Sequence, residues 1–315
     1  MDYYEYYKEY SKEGSKVGTF VLVQQTIFQL GTVFAVLFLM IAIGLFSSIH
    51  AGEYDAELFS QAVKDASNKQ VCIYLGSAIM QIVSSVCFVV FALQNKEVIK
   101  NAPLGGGKTP VRSVLKAWLF YTSVCIAIMG FKFGMSLLLK GDPSDHTMLE
   151  SRHRILMFAL TTIFPGIVEE LQFRGVLFRY LRRRGFFYAA LVSSVIFGLA
   201  HLNIFQSLFA FTLGFSLCYV YEKTRHIWIC MILHCLHNSM ILLITTIYDQ
   251  RPLFLIIIWL GTNALIGLIL IYFNLIKPKI KTDRTAIKRT LTSTPMMIFI
   301  VLCAIICVMR IVLRF

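Results

Sequence analysis

Glu169 and Glu170 are adjacent carboxylates in the run FPGIVEELQFRGVLFRYLRRR, and Arg174 follows four residues after the second. The residues around them are apolar over about the length of a membrane-crossing helix. A charge near a bilayer centre costs about 2.5–3.5 kcal/mol even on a lenient insertion scale. Three charges so close together need partners, water or a chemical task. On a helix, Glu170 and Arg174 are i,i+4 neighbours and can pair, whereas Glu169 points about 100° away. The spacing predicts an ion pair, Glu170–Arg174, beside a carboxylate left for other work. Pro165 and Gly166, one turn earlier, predict a kink that frees backbone groups and admits water.

Two other apolar segments carry polar groups that can meet these carboxylates. Phe197-Gly-Leu-Ala-His201 places Phe197 and His201 on one helix face. His234-Cys-Leu-His237-Asn238 places His234 and Asn238 on one face, with His237 nearby. A lone histidine on an apolar helix is ordinarily a hydrogen-bonded core residue. Two such helices facing a glutamate-rich one suit the activation of water, because imidazole and carboxylate together can move its proton. Peptide hydrolysis also needs donors at the developing oxyanion, which Asn238 and His234 can supply. Two histidines and a glutamate are plausible zinc ligands as well, but no HExxH is present and no metal is expected. A proton relay or transporter would use the same groups, although no inverted repeat is visible.

The scaffold that must position these residues is membranous. The chain has 315 residues, 57% of them hydrophobic and 15% charged, against roughly 45–50% and 25% in soluble domains. Apolar runs suited to spanning the bilayer are Ile27–Phe46, Val71–Leu93, Ala117–Leu139, Ile155–Leu181, Phe186–Leu202, Ser207–Tyr221, Ile227–Ile247, Leu253–Ile276 and Met296–Leu313. The expected fold is an all-α integral membrane bundle of about eight to nine transmembrane helices, the last in doubt because it contains Arg310. Residues 1–26 form a polar, tyrosine-rich segment unlike a cleavable signal peptide, followed by one transmembrane domain over residues 27–315.

The net charge of +13 does not imply a nucleic-acid partner. Lys and Arg cluster in the loops on one side of the bundle, which places the N-terminus in the cytoplasm and makes the lipid bilayer the partner. The eight cysteines lie in or beside apolar runs without a CxxC pair and read as small hydrophobes. Gly105–Thr109, GGGKT, resembles the tail of a phosphate-binding loop, but Ala102 stands where that pattern needs glycine and no strand precedes it.

Glu169-Glu170-x-x-x-Arg174, Phe197-x-x-x-His201 and His234-x-x-x-Asn238 together resemble the three-motif signature of the CAAX-protease and bacteriocin-processing (CPBP, or Abi) intramembrane peptidases. The words EELQFRG and FGLAHLN look like the bacterial branch, and the likeness covers a core at about residues 155–247. The resemblance implies a conical intramembrane cavity and a metal-independent glutamate protease in the plasma membrane of a bacterium. Glu169 would be the general base, and His201 would help hold the water. His234 and Asn238 would stabilise the oxyanion, while Glu170, Arg174 and Phe197 support the site. The substrate would be a membrane-associated peptide or protein. Alternatives on the same fold are a non-catalytic scaffold or sensor, a bacteriocin-immunity protein, and a zinc-dependent CAAX-type prenyl protease.

One expectation sits badly with a single site. Counted inward from the cytoplasmic ends at 1.5 Å per residue, His234 lies about 12 Å deep, Glu169 about 20 Å and His201 about 22 Å.

Overall fold

The computed structural model describes residues 3–50, 53–104, 111, 114–115, 118–119, 121–122, 154–250 and 284–312. Most of the expected span Ala117–Leu139 and all of Leu253–Ile276 lie outside these residues. Among the described residues, four helices are long and apolar enough to cross a membrane, or five if one bent pair counts as a span.

The first helix, α1, runs from Tyr3 to Ser48 without a break. No proline interrupts it, and Glu and Lys in its polar half are good helix formers. Over its described residues the polar segment 1–26 is helical, and its helix continues into the first apolar run. At 46 residues α1 is about 69 Å long, more than twice the hydrocarbon thickness. Its buried face, Tyr10, Glu13, Val17, Val21 and Gln24, follows helical spacing and faces the rest of the bundle.

A two-residue antiparallel pairing, Ile49–His50 with Glu53–Tyr54, turns the chain into α2, Ala56–Lys64. The Asp55 carboxylate caps α2 by accepting from the Glu57 and Leu58 amides at 2.8 and 3.1 Å. Then come α3, Ala66–Gln94, packed along α1, and the short α4, Lys96–Lys100.

Helix α5, Ile155–Arg182, carries the two glutamates. Gly185, at φ 111°, takes a left-handed conformation open to glycine and turns the chain into α6, Phe186–Leu199. Fourteen residues reach about 21 Å, so α6 is shorter than the run Phe186–Leu202 that was read as a span. Leu202, at φ 54°, and the Asn203 cap start α7, Ile204–Thr224, three residues earlier than the apolar run at Ser207 suggested. Next is α8, Ile227–Gln250, against α5 and α7.

Helices α9, Arg284–Leu291, and α10, Thr294–Val312, meet at 72° and lie on α1. The last expected span is thus a helix despite Arg310, and Met296, Phe299, Cys303 and Cys307 form its buried stripe. The approach to α1 is close: a Cβ on Gly14 would lie 2.4 Å from the Thr290 carbonyl oxygen, and one on Gly18 2.5 Å from the Met296 nitrogen. Small residues four apart let helix backbones touch.

The end of the bundle where α1 begins is tied by charge. Arg184 donates to Glu13 and Glu9 at 2.8 and 3.1 Å, and Arg183 donates to Glu13 at 3.2 Å. Arg182 grips Glu222 with two hydrogen bonds of 2.9 and 2.6 Å, fixing α5 to α7.

Candidate active site

Glu169 and Glu170 occupy an α-helical turn of α5 flanked by two π-helical stretches, Ala159–Ile163 and Leu171–Phe178. Pro165 stands in the first turn of the intervening α-helical piece, where its missing N–H is tolerated. Widened turns lie on either side of Pro165, and α5 passes it as one candidate span. Wide turns of this kind are frequent at functional positions. The Thr161 and Thr162 hydroxyls donate back to the carbonyls of Met157 and Phe158 at 2.8 and 2.6 Å.

Gly166 brings α8 against this turn, since a Cβ there would lie 2.6 Å from Cys235 Sγ and 3.0 Å from its backbone nitrogen. That contact seats the neighbouring His234 between the two carboxylates. His234 Nδ1 lies 2.8 Å from Glu170 Oε1, and Nε2 lies 3.8 Å from Glu169 Oε2. A carboxylate only accepts, so Nδ1 is the donor to Glu170, and Nε2 is turned toward Glu169.

Glu170 Oε1 is also 2.9 Å from an Arg174 guanidinium nitrogen, with the two side chains 0% and 1% exposed. The distance is that of an ion pair, but the angle is not that of a hydrogen bond. All three Arg174 side-chain nitrogens and Glu170 Oε2 lack a hydrogen-bond partner among the described residues. The guanidinium is instead stacked 4.8 Å above the Phe197 ring.

Phe197 is the hub of the site. Its ring also meets Phe173 at 4.7 Å, His201 at 5.1 Å and His234 at 5.9 Å. Glu169, 14% exposed, is the wetter of the two carboxylates.

The remaining candidates lie less directly on Glu169. His201 Nδ1 donates to the Phe197 carbonyl at 2.8 Å, and among the described residues it forms no hydrogen bond or ion pair with Glu169. The Asn238 amide donates to the Thr162 carbonyl at 3.4 Å, linking α8 to the first π stretch.

Two partners were not singled out in the sequence. Gln81 of α3 donates to Glu169 Oε1 at 3.3 Å. Tyr121 hydrogen-bonds His237, both buried. A lone glutamine in the apolar run Val71–Leu93 was the available signal for the first.

The depth conflict is resolved by contact: His234 of α8 meets Glu170 of α5 at 2.8 Å, so the two helices bring these residues to one level. Among the described residues, no group of three His, Cys, Asp or Glu side chains is arranged to hold a metal ion.

Residues 151–240 match the family described as "Type II CAAX prenyl endopeptidase Rce1-like". Over 168 residues, half of this chain and 67% of the relative, the chain is 30% identical to a Bacillus subtilis (strain 168) protein named "Putative membrane peptidase YdiL". No solved structure matches the chain.

Proposed function

The chain is an integral membrane protein of the Rce1-like CAAX endopeptidase family, and from that premise we propose that it hydrolyses a peptide bond of a membrane-associated peptide or protein with water activated by Glu169. The observation that carries this reading is the inequality of the two carboxylates. Glu170 is fully buried between Arg174 and His234, while Glu169 is partly exposed and faces His234 across 3.8 Å. A water bonded to both Glu169 and His234 Nε2 would lie beside that gap.

In the proposed reaction Glu169 takes a proton from this water as its oxygen attacks the scissile carbonyl. The carbonyl π pair moves to oxygen, and the resulting oxyanion meets donors from α8. Asn238 is one such donor, and a His234 ring that already carries a proton on Nε2 is another. Collapse of the tetrahedral intermediate expels the amine, which leaves with the proton held by Glu169. His201, with Nδ1 committed to the Phe197 carbonyl, offers Nε2 as an acceptor that helps order water. Glu170, Arg174 and Phe197 hold His234 in place.

The proposal includes no metal or other cofactor. It places the N-terminus in the cytoplasm of a bacterium, on the side where Lys and Arg concentrate, and favours a peptide-processing or immunity role over prenyl-protein processing. The test is the membrane peptidome of cells expressing the wild type or Glu169→Gln at equal levels. Fragments present only with the wild type support the reading; identical peptidomes defeat it.

A further inference from the structure

Helix α3 touches the site through a polar seam that the proposed mechanism does not use. Gln81 donates to Glu169 Oε1 at 3.3 Å. One turn along, Ser85 donates to the Gln81 backbone carbonyl at 2.6 Å and accepts from the Gln172 amide at 2.7 Å. A further turn brings the Phe88 ring to Phe173, with centroids 5.7 Å apart. Residues 81, 85 and 88 thus meet 169, 172 and 173, ridge against ridge. From the far side, Gln24 of α1 donates to Ser84 at 3.4 Å. The turn of α3 that carries Gln81 is tied to α5 through Ser85 and to α1 through Ser84, and the Gln81 side-chain amide lies against one carboxylate oxygen.

We propose that Gln81 is a positioning residue for hydrolysis: its amide holds the Glu169 carboxylate in the orientation from which it takes the proton of water. The inference rests on the function proposed above. Around Glu169, charge comes from Glu170 and Arg174 of its own helix, and titratable groups from His234 of α8, with His237 a turn beyond, and His201 of α6 behind Phe197. Helix α3 brings only a neutral amide. A lysine or arginine in this place would bind Glu169 as Arg174 binds Glu170. An amide orients the carboxylate and leaves it a base.

The test uses the full chain in liposomes and an internally quenched peptide library, with Glu169→Gln as blank and the fastest-cleaved peptide kept as probe. Gln81→Met lowers kcat about tenfold, as expected for losing one hydrogen bond to a charged group, with KM unchanged. In a Glu169→Asp background, whose shorter carboxylate is beyond the reach of Gln81, the same change lowers kcat by less than about twofold. A rise in KM at constant kcat, or two effects that simply multiply, overturns the proposal.

A readout independent of hydrolysis separates the two claims. The side-chain amide resonance of Gln81, assigned by its disappearance in Gln81→Met, moves when Glu169→Gln is introduced. No movement overturns the role of Gln81 even in an active enzyme. A library left uncleaved by the wild type defeats the function and leaves the amide measurement to decide the contact.

Discussion

Two arginine–carboxylate systems in this chain are built oppositely. At the polar end of the bundle, Glu13 receives aligned hydrogen bonds from Arg183 and Arg184 at 3.2 and 2.8 Å, and Arg184 also reaches Glu9. Its guanidinium lies 4.7 Å over the Tyr10 ring. In the membrane interior, Arg174 stands at ion-pair distance from Glu170 without an aligned hydrogen bond. The neighbouring Glu169 has one amide at 3.3 Å and one imidazole at 3.8 Å. A carboxylate gripped by two guanidiniums is a fastener; one that is lightly held is free to react. The difference lies in the partners, because all of these are glutamates in helices.

The largest expected effect is on the reactive side of this contrast. Glu169→Gln keeps the shape of the side chain and removes the base, so kcat falls about 10³-fold while thermal unfolding is unchanged. A folded Glu169→Gln enzyme with more than a tenth of wild-type activity breaks the distinction between the two glutamates. Next is the buried pair. Arg174→Met leaves Glu170 charged and fully buried, which costs about 3–5 kcal/mol and is read from denaturant or thermal unfolding in detergent.

At the polar end the effect is smaller. Glu13→Gln keeps a hydrogen-bond acceptor but loses charge assistance, destabilising by about 1–3 kcal/mol and leaving kcat within about twofold. Burial by itself would lower the Arg184 pKa, but the hydrogen bonds and charge of Glu13, then Glu9, hold it above its ordinary value. A raised folded-state pKa stabilises at all pH below the unfolded value and is lost only as pH climbs through the folded one. From the arginine side, the clamp is therefore constant between about pH 6 and 10, and a Glu13-dependent unfolding midpoint that falls across that window contradicts it. The smallest expected effect is none: exhaustive chelation leaves hydrolysis unchanged, and a loss restored by zinc would replace the proposed mechanism.

What the sequence could reveal followed from periodicity. The i,i+4 spacing of Glu170 and Arg174 put them at contact distance, and the same rule placed Phe197 beside His201. Gln81 escaped because the identity of a partner on another helix is not written in local spacing. A glutamine among apolar residues says only that a partner exists.

The π stretches escaped for a similar reason, since a widened turn keeps nearly the same apolar pattern as an ordinary one. One helix start was misplaced: α7 begins at Ile204, three residues before the apolar run at Ser207, because the Asn203 side chain caps it there. The continuation of α1 through residues 3–26 was hidden by polarity, because the eye takes apolar length for helix length.

The close seat of α1 on the other end of the chain has a consequence for synthesis. Thr290 hydrogen-bonds the Tyr10 carbonyl 280 positions away, and Gly14 and Gly18 are shaped to fit Thr290 and Met296. At about 10 residues per second, these partners are translated roughly half a minute after the glycines they cover. Helix α1 therefore waits in the membrane with its small-residue groove uncovered until α9 and the start of α10 have been made.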